Sequence, residues 1–356
     1  MKYIDQSDQL KQPDGGLGIL LVNLGTPDNP TTPAVRRYLA EFLSDPRVVS
    51  LPRILWLLIL HGMVLRVRPK RSAQAYGKIW TDQGSPLLVI SHQQLDALTA
   101  ALQPRLNGQT HFALAMRYGN PSIASALEAL RRQNIQRLLV FPLYPQYSAT
   151  TTASIFDAVT SELQRWRRIP ECRFIHRYYQ EADYTAALSE SIRAFREQEG
   201  EAEKLLFSFH GIPRNYYESG DPYPDECRST AAQVAKSLGL HDHQWQVSFQ
   251  SRFGNQEWVK PYTDETLKRW GSEGVESVQV VCPAFSADCL ETLEEISEEN
   301  RGYFLQAGGK RYAYIPAMNA HPSHIALFAD LIVQHTCGWP EAETSPSVVS
   351  YTRETS

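Results

Sequence analysis

Three short motifs occur twice in this chain, and in the same order. LGTP (24–27) returns as HGIP (210–213), RYGN (117–120) as RFGN (252–255), and LLVFPLY (138–144) as VQVVCPAF (278–285). A chain that repeats its strand ends in order is expected to fold as two similar units, and this constrains the architecture more than any composition does. The candidate strands are the short apolar runs GILLVNL (18–24), FALAMRY (112–118), RLLVFPL (137–143), RFIHRY (173–178), KLLFSFH (204–210), QVSFQSR (246–252), SVQVVCP (277–283) and RYAYIP (311–316). Amphipathic stretches of helical length, such as PSIASALEALRRQ and DYTAALSESIRAFREQ, lie between them. That alternation is the pattern of a parallel sheet covered by helices. The expected fold class is α/β: two similar wound parallel-sheet, Rossmann-like halves with a cleft between them.

The boundary is expected near residue 175. This divides the chain into a polar N-terminal segment (1–17), a first half (18–175), a second half (176–336) and a Ser-, Thr- and Glu-rich tail (337–356) read as disordered. With 42% hydrophobic residues among 356, a sizeable core is available. A formal charge of −4 and a pI near 6.2 provide no global basic field, which argues against a nucleic-acid partner. The five cysteines (Cys172, Cys227, Cys282, Cys289, Cys337) are odd in number and include no CxxC pair. They signal neither a disulfide framework nor a metal-binding quartet, and a reducing compartment is the expected home. The opening MKYIDQSDQLKQPDGGLG has no apolar signal core, so a cytoplasmic location is expected.

The most apolar stretch is LPRILWLLILHGMVLRVRPKRS (51–72), interrupted by Arg53, His61, Gly62 and Arg66 and therefore too broken for an unaided membrane span. Two readings stay open. As a surface-seeking segment it sets Leu55, Leu58, Ile59 and Val64 on a greasy face and Arg66, Arg68, Lys70 and Arg71 toward anionic headgroups or carboxylate ligands. The alternative is a buried helix with a basic end.

Ligands of open α/β sheets sit beyond the carboxyl ends of the strands, where all three repeated motifs fall. The halves differ there. The first has Leu24 where the second has His210, and Thr150 where the second has Glu291. A histidine at a strand end is often a satisfied core residue, but SFHGIP sets His210 against a tight Gly-Pro turn that aims it into a crevice. There a neutral imidazole can ligate a divalent metal or accept a proton. In CPAFSADCLETLEEISEEN (282–300), Leu290, Leu293 and Ile296 form one helical side, with Asp288, Glu291, Glu295 and Glu299 on the other. No Lys or Arg is interleaved, and like charges at that spacing destabilise a helix by about 0.2–0.5 kcal/mol per pair. Some compensation is expected, whether the face is solvated or built for a divalent cation or a proton relay.

VNLGTP, YGKIWTDQGSP, MRYGNPS, FPLYPQYSATTTAS, LLFSFHGIP, GDPYPDEC, QSRFGNQEWVKPYTDETL and CPAFSADCLETLEEI together resemble the ferrochelatase family, in the family's order, over about residues 18–335. The resemblance implies a two-half chelatase-type fold and insertion of Fe2+ into protoporphyrin IX, the last step of haem biosynthesis. It implies His210 and Glu291 as the catalytic and metal-binding pair, with Glu295 and Glu299 as a proton or metal relay on a helix with a π-type widening. Porphyrin contacts carried over are Leu24, Arg68, Tyr76, Ser85, Ser251 and Trp258, and Tyr118 is added as part of an aromatic clamp. The greasy segment becomes the lip of the cleft, an insertion at about 45–85 that also accounts for the longer chain between LGTP and RYGN than between their echoes. It is a candidate for peripheral membrane contact through 51–72.

Metallation exchanges two pyrrole protons for one divalent ion, so the site must distort the ring, desolvate iron and accept protons. His210 and Glu291 divide those roles in one of two ways, with His210 accepting protons and Glu291 bringing metal, or the reverse. Fe2+ is a substrate and no resident cofactor is implied. Family members with a [2Fe–2S] cluster hold it largely through closely spaced cysteines in a C-terminal extension, whereas this tail has only Cys337, so no cluster is expected. A chelatase for coproporphyrin III or another tetrapyrrole is the alternative enzyme, and a non-catalytic porphyrin or haem carrier the alternative class. The sequence leaves the oligomeric state open, with a monomer as the default.

Overall fold

All eight candidate strands form, in two four-stranded parallel sheets: Leu17–Thr26 (β1), Thr110–Gly119 (β2), Arg137–Pro142 (β3), Glu171–Phe174 (β4), Lys204–His210 (β5), Trp245–Gln250 (β6), Ser277–Val281 (β7) and Arg311–Ile315 (β8). The computed structural model describes residues 3–6, 9, 13–254 and 256–342. Strand order is β2-β1-β3-β4 in one sheet and β6-β5-β7-β8 in the other, so the repeated motifs occupy equivalent strand ends. β1 and β5 are the central strands from which each sheet grows in both directions. This is the switch point where open α/β sheets leave a crevice.

The strands are apolar on both faces because both are covered. Leu17, Ile19 and Leu21 of β1 and Leu205, Phe207 and Phe209 of β5 enter one shared core with helices Pro86–Leu102, Ala182–Glu199, Tyr223–Ser237 and Pro322–Thr336. Leu20 and Val22 face a separate outer core, as Leu206 does in the second half. Each fully buried aliphatic or aromatic side chain contributes about 1.5–3 kcal/mol, which makes the shared layer the main bond between the halves. Buried carboxylates add direction. Asp221 accepts from Ser148 Oγ (2.9 Å) and the Ala149 N–H (2.8 Å), and Glu226 accepts from the Tyr147 N–H (2.7 Å) and Arg177 (2.6 Å).

Between β1 and β2 the chain makes an excursion through helix Arg53–Ile59, a π-turn Leu60–Val64 and helix Leu65–Ile79. Trp56, Leu60, Leu65 and Tyr76 turn inward onto Val35, Leu39 and Leu43, with Trp56 Nε1 donating to the Leu43 carbonyl at 2.6 Å. Leu51, Ile54, Leu55, Leu58, Met63 and Val67 stay exposed, Ile54 at 80%. The segment is therefore a surface lip. Of its expected greasy face, Leu55 and Leu58 are exposed, whereas Ile59 and Val64 pack partly into the lip's own core, because the π-turn shifts the helical phase there. Among the described residues no helix is long and apolar enough to cross a membrane.

The expected disordered tail needs correction at its start. Trp339 is buried and donates from Nε1 to Glu171 (2.7 Å), and the buried Glu341 carboxylate accepts from Arg137 at 2.5 Å. Both partners lie in or beside the first sheet, so residues 337–342 clasp it; the remainder, 343–356, lies outside the described residues.

Candidate active site

β5 ends on His210, and the strand register sets it beside Gln250 of β6. His210 Nδ1 lies 2.7 Å from the Gly211 carbonyl, and a carbonyl only accepts. The proton of the neutral ring therefore sits on Nδ1 and the free lone pair on Nε2. Gln250 is buried, accepts from Ser208 Oγ at 2.6 Å and donates from Nε2 to the Glu291 carbonyl at 3.3 Å. One side chain thus links the histidine's neighbouring strand to the first residue of the acidic helix. Sequence reasoning had no signal for Gln250 beyond its place two residues before the RFGN echo.

The acidic run is a π-helix, Glu291–Asn300, rather than an ordinary α-helix. Its carbonyls accept from side chains: the helix's own Asn300 Nδ2 donates to Glu295 (2.9 Å) and Tyr312 Oη to Ile296 (2.6 Å). Glu291 is half-buried, and its charge reaches Arg68, Tyr38, Tyr76 and Tyr144 across the cleft. Burial pushes the Glu295 carboxyl up to about 7; hydrogen bonds from Ser251 oppose that shift and the Glu291 and Glu299 charges add to it. Glu299 is exposed and accepts from Tyr303 Oη at 2.5 Å. The row therefore climbs from the cleft through a carboxyl poised near neutrality to solvent.

The compensation for this unbalanced run comes from a distant segment. Lys78 of the lip lies 2.7 Å from Glu294 and 3.6 Å from Glu298, the two glutamates facing away from the row. Asp288 does not join the row. It is buried and accepts from Thr292 Oγ1 (2.9 Å), Tyr314 Oη (2.7 Å) and Asn319 Nδ2 (2.8 Å), which ties down the chain entering the π-helix.

The expected porphyrin contacts gather in part. Leu24, half-buried at the end of β1, donates its N–H to Tyr144 Oη at 2.9 Å. Tyr76 and Ser85 are buried beside the same strand end: Ser85 Oγ lies 2.8 Å from Thr26 Oγ1, and Tyr76 sits in the lip's core, against which Tyr38 packs. Arg68 reaches over the Phe253 ring (5.0 Å), and burial pulls its guanidinium below the usual range. Ser251 has φ +66°, a conformation costing a non-glycine residue about 1–3 kcal/mol, and donates both its N–H (2.8 Å) and its hydroxyl to Glu295. Trp258 is buried against the HGIP turn, paired with Pro213 and donating from Nε1 to the Phe253 carbonyl at 3.0 Å. A Cβ at Gly211 would sit 3.1 Å from its ring and 2.9 Å from the Gln250 carbonyl, so the turn needs glycine there.

Tyr118 is the exception and is corrected. Its side chain is fully buried and its hydroxyl is 2.8 Å from Asp45 and 3.0 Å from Ser154, inside a network closed by Arg117. It braces the first half and does not present a face to the cleft. Its counterpart in the second repeat, Phe253, is 37% exposed, under Arg68 and 5.2 Å from the Trp258 ring. The repeat pointed to both positions, yet only solvent exposure separates them. Tyr38 and Tyr144 were also missed: Tyr38 lies in helix Thr32–Leu43, outside every repeated motif, and Tyr144 ends the repeated LLVFPLY run without having been singled out.

The fold and the residues gathered at its strand ends define a two-half α/β protein whose cleft is lined by a histidine, carboxylates and aromatic rings. The fold has solved counterparts. SirB from Bacillus subtilis with Fe3+ superposes with a TM-score of 0.55 at 11% identity, covering 90% of this chain and 96% of that one. The sirohydrochlorin chelatase SirB from Bacillus subtilis subspecies spizizenii, in complex with cobalt, gives 0.51 at 12% identity over 88% and 93%. The ferrochelatase family model matches residues 16–336. Ferrochelatases of Thioalkalivibrio sulfidiphilus and Hydrogenovibrio crunogenus are 52% and 51% identical, each over 96% of this chain and 93% and 92% of their own lengths. The chain belongs to the ferrochelatase family.

Proposed function

We propose that the protein inserts Fe2+ into protoporphyrin IX to form protohaem, releasing two protons. The observation that carries this reading is His210 at the central strand end beside Gln250, which donates to the Glu291 carbonyl, with the carboxyl row running on from Glu291 toward solvent. Among the described residues no three His, Cys, Asp or Glu side chains gather into a metal cage. Two donors suit a metal that must be released into four pyrrole nitrogens, because a closed protein cage would compete with the product. Anaerobic mixing with Fe2+ and either protoporphyrin IX or coproporphyrin III, followed by loss of free-base fluorescence, tests the reading and ranks the two porphyrins. Binding without turnover of either would make the protein a carrier instead.

The reading includes a peripheral membrane contact through 51–72, supported by exposed Leu51, Ile54, Leu55, Leu58, Met63 and Val67 beside exposed Arg66, Lys70 and Arg71. It includes a cytoplasmic location, supported by five unpaired cysteines, and a monomer. It includes no [2Fe–2S] cluster, since Cys227, Cys282 and Cys289 are buried in the cores and Cys337 stands apart on the surface. A purified, porphyrin-free sample is expected to lack sulfide and iron–sulfur absorption; finding both would overturn that part.

A further inference from the structure

The segment after His210 touches several walls of the cleft at once. The Gly211 N–H donates to the Gln250 carbonyl (2.8 Å), Val259 donates to Ile212 (3.0 Å) and Arg214 donates to Glu257 (2.9 Å), so the segment runs paired with the stretch that bears Trp258. In the short helix Arg214–Glu218 it then leaves its own half. Tyr216 Oη donates to the Val48 carbonyl (3.1 Å) and accepts from the Ser50 N–H (2.9 Å). Val48 and Ser50 form the root of the lip, just before helix Arg53–Ile59.

The root is held on its other side by Asp45. That carboxylate pairs with Arg117 at 2.6 Å, and its backbone carbonyl accepts from the Val48 (3.0 Å) and Val49 (2.9 Å) N–H groups. The lip helix itself starts without a side-chain cap. Arg47, within the root, also pairs with Asp157 of the first half at 2.8 Å, so among the described residues the root is hydrogen-bonded to the first half through Asp45 and Arg47 and to the second through the Tyr216 phenol. The lip's further contacts with the second half, Lys78 with Glu294 and Arg68 over Phe253, come from its later helix Leu65–Ile79.

We propose that Tyr216 is a positioning residue, tying the root of the lip to the segment that carries His210 and Trp258 and so setting the cleft opening before the macrocycle arrives. The proposal rests on the porphyrin reading of the cleft. A lip held at its root presents its wall ready-made, so binding does not have to order it first. Loss of the hydroxyl leaves the Ser50 N–H and Val48 carbonyl to water and frees the root to pivot. Capture of the ring then weakens, while the chemistry at His210 and Glu291 is spared.

Tyr216→Phe tests this, because the ring keeps its packing and only the two hydrogen bonds go. Porphyrin Kd by fluorescence quenching and KM are expected to rise about three- to tenfold, with kcat within about twofold of wild type. Amide exchange over residues 50–60 is expected to quicken. If wild-type protein neither binds nor metallates porphyrin, the cleft reading fails. If wild type does both and Tyr216→Phe matches it in Kd, KM and exchange, the positioning role fails. A fall in kcat at unchanged KM overturns it too, because the hydroxyl would then matter to chemistry or general integrity. Should the variant fold poorly, exchange of the Ser50 amide in wild type decides: a solvent-exposed rate overturns the tie, and protection supports it.

Discussion

His210 and Glu291 reach the site from different elements, a strand end and a π-helix start; His210 is oriented by its Nδ1 contact with the Gly211 carbonyl, and the Glu291 backbone carbonyl accepts from Gln250. His210→Ala and Glu291→Gln are each expected to lower turnover by about two to four orders of magnitude while leaving porphyrin affinity within about threefold. Single-turnover metallation and equilibrium quenching, run on the same samples, separate the two effects; a near-wild-type rate in either variant would remove that residue from the mechanism. Glu295 offers a different signature. Its carboxyl titrates near 7 when folded, against about 4.3 in an unfolded chain. Between those values the folded state holds more proton, so the stabilising contribution is complete below the lower value and is lost as pH rises through the upper one. Glu295→Gln cannot titrate. Its melting temperature is expected to gain on wild type between about pH 5 and about pH 8, and a pH-independent difference would contradict the raised carboxyl.

Among the elements, the lip and the π-helix show how irregular helix geometry serves the site. In the lip the π-turn Leu60–Val64 rotates the helical phase, so one stretch of chain supplies an outward apolar face and then an inward Arg68 and Tyr76. Flotation with anionic vesicles is expected to retain the wild-type protein, and the pair Leu55→Asp and Leu58→Asp to weaken retention about tenfold or more. No retention of wild type, with or without porphyrin, would dismiss the membrane contact. In Glu291–Asn300 the widened turn is accompanied by side-chain donors from Gln250, Asn300 and Tyr312, three bonds that offset its poorer internal ladder.

For the whole molecule, the two halves share one core and are aligned by buried carboxylates of GDPYPDEC reaching into YPQYSAT. Asp221 takes two bonds from residues 148 and 149 while 93% of its surface is covered, as its 7% exposure records. Asp221→Asn keeps the shape but weakens both charge-assisted bonds and puts an amide N–H group where an acceptor is needed. A loss of about 1–3 kcal/mol in urea unfolding is expected, and an unchanged midpoint would show that the shared apolar layer alone aligns the halves.

Strand identity, the two-half organisation, the position of His210 at a strand end and of Glu291, Glu295 and Glu299 along one helix were legible in the linear chain. Apolar runs, turn residues and residue spacing are local, and local hydrogen bonding obeys them wherever the segment ends up. Other features needed the folded molecule because their causes lie far apart in sequence. Lys78 balances Glu294 from 216 positions away, and Gln250, beside His210 by strand register, donates to the Glu291 carbonyl. Trp339 and Glu341 leave an outwardly polar tail for partners in and beside the first sheet. Tyr118 and Phe253 hold the same place in the repeat, yet Asp45 draws one ring into a core and the other stays at the cleft. The sequence by itself determined which residues could carry the chemistry; tertiary structure decided which side chains face the cleft, because burial and charge compensation are set by whichever distant groups the packing brings near.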